Sequence, residues 1–244
     1  MDRDSLIKDL RSDGYLKTPR IIEAFEKIDR KDFILPEMMD EAYGNYPLPI
    51  GHGQTISQPL TVAFMIELLA PQFGDKILDV GSGSGWTTAL LAYVVSQKGG
   101  GERLNVKSQK LGGIMAVERI PELCKFGEVN VRKYNFISSG IVKFFCSDGY
   151  RGAPKEFVPA GGFDKILASA AIESQRKSAS SQRQSAIGDV IPNEWKKQLR
   201  VGGRIVAPVG QSVIVLDKIS EKEFKEKEYF GFSFVPLIKG GRST

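Results

Sequence analysis

The stretch that decides the fold is LDVGSGSGW at residues 78–86. It completes KILDV at 76–80, a short and almost wholly apolar segment that predicts a strand buried on both faces. GSGSG at 81–85 then forms a turn, and TTALLAYVV at 87–95 predicts a helix. Glycine carries no Cβ, so a ligand can approach the backbone of this turn and the free N–H groups at the helix start. The stretch therefore predicts a strand–turn–helix unit with a ligand site at its turn.

The alternation of strands and helices continues on both sides of this unit. We predict helices at 4–11, 19–28, 60–70, 121–134 and 194–199, and strands at 113–118, 141–148, 163–171 and 202–210. The segments 212–219 and 229–238 predict a closing antiparallel pair. Buried strands that alternate with helices are typical of an α/β fold whose helices cover both faces of the sheet. The expected architecture is a doubly wound, mostly parallel sheet with a C-terminal antiparallel strand pair.

The chain divides unevenly around this core. We expect residues 1–58 to form an N-terminal helical segment that ends in a lid over the ligand site, and residues 59–244 to form the main domain. Two stretches do not fit the alternation: 97–112 is glycine-rich and basic, and 173–190 is of low complexity with few apolar residues. Such compositions cannot bury a core of their own, so we expect both to be surface insertions.

Composition limits the classes of protein. Hydrophobic residues make up 41% and charged residues 26% of the 244 residues, which is ordinary for a globular chain. No apolar run approaches the roughly 18 residues that span a bilayer, and the charged N-terminus lacks the apolar core of a signal peptide. We expect a cytoplasmic monomer without membrane contact. The net charge of +5 is explained equally well by a lysine excess and by nucleic-acid binding. We expect no specific nucleic-acid partner.

The cysteines and the single histidine indicate no metal centre. Cys124 and Cys146 stand at apolar positions, so we predict two core thiols rather than a disulfide scaffold. With one histidine and no C-x-x-C motif, a zinc site is not expected. His52 stands between two glycines, which favours a turn residue over a catalytic one.

Three acids follow three consecutive predicted strands. Asp79 ends the first strand, Glu118 the second and Asp148 the third. Each acid alone could merely cap a turn, but the carboxyl ends of parallel strands meet at one sheet edge, where ligands bind. An acid before G-x-G-x-G, in place of the dinucleotide spacing G-x-G-x-x-G, is typical of Rossmann-like class I S-adenosylmethionine-dependent methyltransferases. We expect the loop to take the methionine and ribose part of that cofactor, Glu118 the ribose hydroxyls and Asp148 the adenine amine.

The stretch GHGQTISQP at 51–59 concerns the methyl acceptor. The chain lacks the Pro-Pro-aromatic motif of base-methylating enzymes. A carboxylic acid has an ordinary pKa of about 4, so it is already ionised at neutral pH and needs orientation rather than a general base. Hydroxyl, amide and backbone N–H groups can orient it, and this stretch is rich in them. The stretch is therefore compatible with a carboxylate acceptor, while oxygen or nitrogen acceptors that need a general base would have to rely on the one histidine.

Six segments together resemble one family of methyltransferases. They are PLPIGHGQTISQP (47–59), LDVGSGSGW (78–86), VERI (117–120), SDG (147–149), GGRIVAPVG (202–210) and FVPLIKG (234–240). They look like the protein-L-isoaspartate O-methyltransferases, and QTIS is the most specific piece. The resemblance implies methylation of the α-carboxylate of L-isoaspartyl residues in damaged proteins, which starts their repair through a succinimide. The family's active-site serine falls on Ser57, which we expect to hydrogen-bond the acceptor.

The resemblance also implies a set of contacts. Those to the cofactor would come from Thr55, Ile56, Asp79, Gly81, Ser82, Gly83, Gly85, Glu118, Asp148 and Gly149. Those to the substrate would come from Gln54, Thr55, Ser57, Ala170 and Val209. The chain departs from the family where ASAA (168–171) leads into Ile172 and the insertion instead of Ala-Ala-Pro. It departs again at Ile238-Lys239, where some relatives carry a polar residue near the cofactor.

Three other hypotheses compete with this one. An RNA methyltransferase of the same fold would use the basic insertions as its grip and would bind RNA in a salt-dependent manner. A non-catalytic protein would bind the cofactor and transfer nothing. A dinucleotide oxidoreductase would require a different glycine spacing.

Overall fold

The computed structural model describes residues 1–97, 112–172, 190–234 and 236–237. Within these ranges the α helices are α1 (Arg3–Ser12), α2 (Pro19–Lys27), α3 (Pro59–Leu69), α4 (Trp86–Ser96), α5 (Pro121–Arg132) and α6 (Asn193–Gln198). The strands are β1 (Leu48–Gly51), β2 (Gln54–Ile56), β3 (Lys76–Val80), β4 (Gly113–Glu118), β5 (Val142–Cys146), β6 (Phe163–Ala168), β7 (Leu199–Val209), β8 (Ser212–Lys218) and β9 (Phe224–Phe230). Every helix predicted from the sequence is present, with boundaries shifted by one or two residues.

Seven of these strands form one sheet in the order β5–β4–β3–β6–β7–β8–β9. The pairings from β5 to β7 are parallel, and those of β7 with β8 and β8 with β9 are antiparallel. The chain fills one side of β3 with β4 and β5, then crosses to the other side with β6. This reversal is a topological switch point, which in open α/β sheets lies beside the ligand site. The predicted α/β architecture is confirmed.

Strand β3 is buried from both sides. Ile77 joins a core formed with the helices α1 to α4, whereas Leu78 and Val80 join a second core on the opposite face that includes Trp195 of α6. All three side chains are 0% exposed. The first core also contains side chains of the N-terminal segment, from Leu6 onward. Two-sided burial explains why the strand reads as a continuous apolar run.

The last strand was predicted in the wrong place. The prediction put it at 229–238, but β9 is Phe224–Phe230. Its sequence FKEKEYF contains four consecutive charged residues, Lys225 to Glu228, and β9 is the outer strand of the sheet. Charged residues protect an edge strand from pairing with other chains, so a polar pattern there is compatible with a strand. After β9 the chain turns back, and Pro236 bridges to Ala171.

Both predicted insertions fall almost wholly outside the described residues, as do Ile238 and Lys239. In the described part of the chain, no helix has the length and apolar character that crossing a membrane requires.

The structure corrects the prediction for the cysteines. Cys124 of α5 and Cys146 of β5 form a disulfide with a Cα–Cα distance of 5.8 Å. Cys124 is buried, as a core residue should be, whereas Cys146 is exposed at the end of its strand. Their separation of 22 residues carries no sequence signal of pairing. They meet because α5 packs against β5.

This disulfide predicts a redox-dependent stability. Closing a loop of 22 residues lowers the entropy of the unfolded chain, which is worth about 3 kcal/mol in the chain-entropy account. We expect a reductant, or the double change Cys124→Ser and Cys146→Ser, to lower the free energy of unfolding by about that amount. Guanidinium denaturation with and without reductant measures it. The double variant is the control, since reductant should not affect it, and a wild-type midpoint that ignores reductant would contradict the bond.

Candidate active site

The glycine loop after β3 is wedged between the sheet and α5. Gly85 has φ +84°, and a Cβ there would lie 2.8 Å from the carbonyl oxygen of Gly127 in α5. Only glycine satisfies both the left-handed backbone and this close approach. The amide of Asn130 donates to the carbonyl oxygen of Ser84 at 3.1 Å and holds the loop from the same side. The loop therefore has one well-determined path at the carboxyl edge of the sheet.

Glu118 secures this loop from the next strand. The side chain is 7% exposed. Its Oε2 accepts from the N–H of Gly83 at 2.9 Å, and its Oε1 accepts from the N–H groups of Arg119 at 2.8 Å and Ile120 at 3.0 Å. Three backbone donors around one carboxylate fix its position at the wall of the cleft.

Asp79 lies beneath the loop and not in the cleft wall. It is fully buried, and its Oδ2 accepts from the Thr88 hydroxyl at 2.5 Å. Its Oδ1 has no hydrogen-bond partner among the described residues. Burial raises the pKa of this carboxyl to about 7, the charge of Glu118 adds to the rise, and the hydrogen bond from Thr88 opposes it. Asp79 thus lies at the base of the site, and its pKa of about 7 is close to neutral pH.

The third acid caps a short helix at the far end of the cleft. Asp148 Oδ1 accepts from the N–H of Tyr150 at 3.0 Å at the start of the 3₁₀ helix Gly149–Arg151. Gly149 itself lines the cleft. Its carbonyl oxygen accepts from the indole N–H of the fully buried Trp195 at 2.7 Å. Helix α6 therefore positions this wall from the second core.

The stretch predicted as a lid is a β hairpin. Strand β1 pairs antiparallel with β2, and His52 and Gly53 connect them; Gly51, His52 and Gly53 have φ of +89°, +52° and +69°. His52 occupies the turn, as its neighbouring glycines predict. Ile56 is buried, and Ser57 is half-buried directly after the hairpin. This places the hydroxyl-rich side of the hairpin opposite the glycine loop.

A cleft of about 820 Å³, including its open mouth, lies between hairpin and loop. The predicted site residues in its wall are Gln54, Thr55, Ile56, Ser57, Gly81, Ser82, Gly83, Glu118, Gly149 and Ala170. The structure thus brings the cofactor and acceptor candidates into one cavity.

Four predicted residues are not in this wall. Asp79 lies beneath the loop, Gly85 is the last residue of the loop and lies against α5, and Asp148 caps the helix next to Gly149. Val209 is buried at the end of β7, where it bridges to Ile172. Their predicted roles stay predictions.

The sequence analysis missed several wall residues, namely Ile50, Ser84, Trp86, Thr87, Val117, Arg119, Ile120, Leu123, Ser169, Pro236 and Leu237. Trp86 could have been predicted from the sequence, because it is a bulky aromatic residue directly after the glycine run. Leu237 lies in the segment FVPLIKG that carries the family resemblance, and its N–H donates to the Ala171 carbonyl at 2.6 Å, which brings it to the wall.

The wall fits an adenosyl cofactor. The Ser82 hydroxyl is buried and has no hydrogen-bond partner in the described ranges. Close by stands the Glu118 carboxylate, the acceptor type that binds ribose hydroxyls. Ile120 and Leu123 add an apolar surface next to it.

The mostly parallel sheet, the glycine turn after β3 and the cleft at its carboxyl edge are those of the Rossmann-like S-adenosylmethionine-dependent methyltransferase fold. A crystal structure from Plasmodium falciparum, assigned as a protein-L-isoaspartate O-methyltransferase in complex with S-adenosyl-L-homocysteine, shares the fold. The TM-score is 0.76 at 22% identity, with 98% of this chain and 100% of that one covered.

The family follows from sequence. The family model of the protein-L-isoaspartate(D-aspartate) O-methyltransferases matches residues 1–242, and the chain belongs to that family. The protein-L-isoaspartate O-methyltransferase of Methanopyrus kandleri is 35% identical over 240 residues, covering 97% of this chain and 91% of its own. That of Methanococcus aeolicus is 35% identical over 238 residues, covering 96% and 93%.

The buried Asp79 predicts a pH-dependent stability. Its folded-state pKa of about 7 lies above the ordinary aspartate value of 3.8. The folded protein therefore binds the proton more tightly, and the contribution of Asp79 to stability is lost as pH rises from about 4 to about 7. We expect Asp79→Asn to remove this loss, which amounts to a few kcal/mol at about 1.4 kcal/mol per pKa unit.

Chemical denaturation of both proteins between about pH 4 and about pH 8 checks this, a range that spans the two pKa values. Only the difference between the two curves reports on Asp79, since other groups titrate in both proteins. Parallel curves over the whole range would contradict a raised pKa.

Proposed function

We propose that this chain transfers a methyl group from S-adenosylmethionine to the α-carboxylate of L-isoaspartyl residues in damaged proteins and peptides. One observation carries the proposal: the cleft is bounded on one side by the glycine loop and on the other by Gln54, Thr55 and Ser57. The cofactor half of this cleft is common to the class. The acceptor half is the segment in which the chain resembles its own family most specifically.

The charges of the cleft support a carboxylate acceptor. Among the described residues of its wall, the titratable side chains are Glu118 and Arg119. Glu118 already accepts three backbone hydrogen bonds, so it is poorly placed to take a proton from an acceptor. An alcohol or amine acceptor needs such a base, whereas a carboxylate is ionised at neutral pH. The wall therefore suits a nucleophile that arrives already charged.

The residues of the chain act by binding and orientation. When bound, S-adenosylmethionine supplies a methyl group on a positively charged sulfur. Ser57 would donate its hydroxyl hydrogen to one acceptor oxygen and leave the other free to attack the methyl carbon. Ile50 and Ile56 are buried beside it and exclude water from that side of the cleft. Fixing the two reactants in this way replaces a bimolecular encounter by an oriented one.

The transfer is balanced without an added proton. A carbon–oxygen bond forms, the carbon–sulfur bond breaks with its electron pair left on sulfur, and S-adenosylhomocysteine departs. The product is a methyl ester of the isoaspartyl α-carboxylate. Its attack by the next backbone nitrogen releases methanol and gives the succinimide from which normal aspartate is recovered.

Paired peptides test the proposal. One synthetic peptide contains L-isoaspartate, and the other carries aspartate at the same position. With labelled S-adenosylmethionine, we expect base-labile label on the first peptide only. Equal label on both, or label on neither with intact cofactor binding, would reject the substrate, and RNA would be the next acceptor to test.

Ser57→Ala tests the orienting hydroxyl. A hydrogen bond to a charged group contributes about 1.5–3 kcal/mol, so we expect turnover to fall about 10- to 100-fold. The affinity for the cofactor, measured by calorimetry, should stay within a few-fold. Ser138→Ala is the matched control, because Ser138 is exposed and bonds only the carbonyl of Asn135. Loss of cofactor binding in Ser57→Ala would contradict an acceptor role.

We further propose that the chain acts as a monomer in the cytoplasm. A cleft walled by one chain supports this, since its described walls need no second copy. Light scattering coupled to gel filtration tests the monomer.

A further inference from the structure

Arg30 is a buried cation that none of the sequence motifs includes. It stands in the 3₁₀ helix Arg30–Phe33 after α2 and is 2% exposed. Among the residues that the structure describes, no acidic side chain forms an ion pair with it. Burial lowers the pKa of its guanidinium to about 10, so the group stays charged at neutral pH. A buried charge without a counter-ion costs stability, and it persists only where other groups compensate it.

Backbone carbonyls supply that compensation. Arg30 Nη1 donates to the carbonyl oxygens of Ala42 at 2.8 Å and Gly44 at 3.1 Å. Arg30 Nη2 donates to those of Tyr46 at 3.0 Å and Ser57 at 3.2 Å. Four carbonyls therefore converge on one planar fork, an arrangement that lysine cannot reproduce.

The last two of these bonds span the base of the active-site hairpin. Tyr46 lies two residues before β1, and Ser57 follows β2 directly. One nitrogen thus ties the two legs of the hairpin together where they leave the body of the protein. The bond to Ser57 is made by the backbone of the residue whose hydroxyl is proposed to bind the acceptor.

The hairpin needs such a tie. It forms a sheet of its own, separate from the seven-stranded sheet, and its register contains three residue pairs. One of these pairs includes Pro49, which has no N–H to donate. An isolated two-stranded hairpin is marginally stable in water. Leu48, Ile50 and Ile56 anchor its apolar side in the first core, and the bonds of Arg30 fix the polar backbone at its base, including that of Ser57.

Arg30 also contacts a residue on the cofactor side of the cleft, Trp86. Its guanidinium carbon lies 5.4 Å from the ring centroid of Trp86, the first residue of α4. Trp86 lines the cleft next to the glycine loop and packs edge-on against Phe25 at 5.5 Å. The same side chain thus connects the acceptor hairpin with the helix that follows the cofactor loop.

We propose that Arg30 is a positioning residue that sets the place of Ser57 relative to the methyl donor by tying the hairpin base to Trp86. This inference rests on the proposed function. A residue that only stabilises the fold would lower turnover only as far as its substitution unfolds the protein. For Arg30 we expect substitution to lower turnover in protein that is still folded.

The test compares Arg30→Lys with a matched variant, Arg204→Met. Lysine keeps the charge and the aliphatic stem but offers one nitrogen in place of the fork. Arg204 also donates to a backbone carbonyl, that of Leu68 at 2.7 Å; it pairs in addition with Asp217, and it is not among the residues of the cleft wall. All proteins are assayed at a temperature at which unfolding curves show them folded, with the isoaspartyl peptide as acceptor.

We expect Arg30→Lys to lower kcat at least tenfold and to raise the peptide KM several-fold, while the Kd for S-adenosylmethionine stays within about threefold. Arg204→Met should keep kcat within twofold even if it unfolds at a lower temperature. Hydrogen exchange should show faster exchange of amides in residues 48–57 of Arg30→Lys and unchanged exchange in β3. These results together would support the positioning role.

Two outcomes would overturn the inference alone. The first is that the wild-type protein methylates the isoaspartyl peptide and Arg30→Lys does so with the same kcat. The other is parallel loss of kcat and cofactor affinity in both variants, in proportion to their loss of stability. A wild-type protein that binds cofactor but leaves the isoaspartyl peptide unlabelled would overturn the proposed function first, and this inference with it.

Discussion

The burial of β3 on both faces is the constraint on which the rest of the structure depends. Its backbone groups bond to β4 and β6, and its side chains face two separate cores. Ligand-binding groups can therefore be presented only beyond its carboxyl end, where the chain must turn sharply into α4. The close approach of Gly85 to the Gly127 carbonyl fixes that turn. Asp79 is the exception within the strand, and its raised pKa is the cost of keeping a carboxyl there.

The two halves of the cleft are held by different kinds of interaction. The cofactor half consists of strand ends and a loop pressed against α5. A disulfide supports it further, since Cys124 neighbours the wall residue Leu123 and Cys146 lies two residues before Asp148. The acceptor half is a short hairpin outside the main sheet. We infer that the cofactor half is rigid because it is part of the sheet and its adjoining helix. The acceptor half depends on contacts with distant parts of the chain.

This difference explains what the sequence could predict. The glycine loop, Glu118 and the order of strands and helices follow from local patterns, because apolar periodicity and glycine spacing are visible within one continuous segment of the chain. The Cys124–Cys146 pair and the Pro236 bridge depend on which elements become neighbours, and no local pattern reports that. Strand β9 was misplaced for another reason: its charged sequence reflects its position at the sheet edge rather than its conformation. Arg30 looked like one surface cation among 34 lysines and arginines.

Because the two halves of the cleft are held by different interactions, the choice of methyl acceptor is separated from the binding of the cofactor. In the proposed reaction, the chemistry concerns the isoaspartyl backbone and carboxylate rather than neighbouring side chains of the peptide. Recognition of that kind requires a fixed hydroxyl and fixed backbone groups more than a deep specific pocket. The hairpin supplies both, and it owes its position to a cation bonded entirely to carbonyl groups. Arg30 bonds to backbone carbonyl groups and not to side chains of the hairpin. The side chains of the hairpin that face the cleft can therefore change without loosening its base.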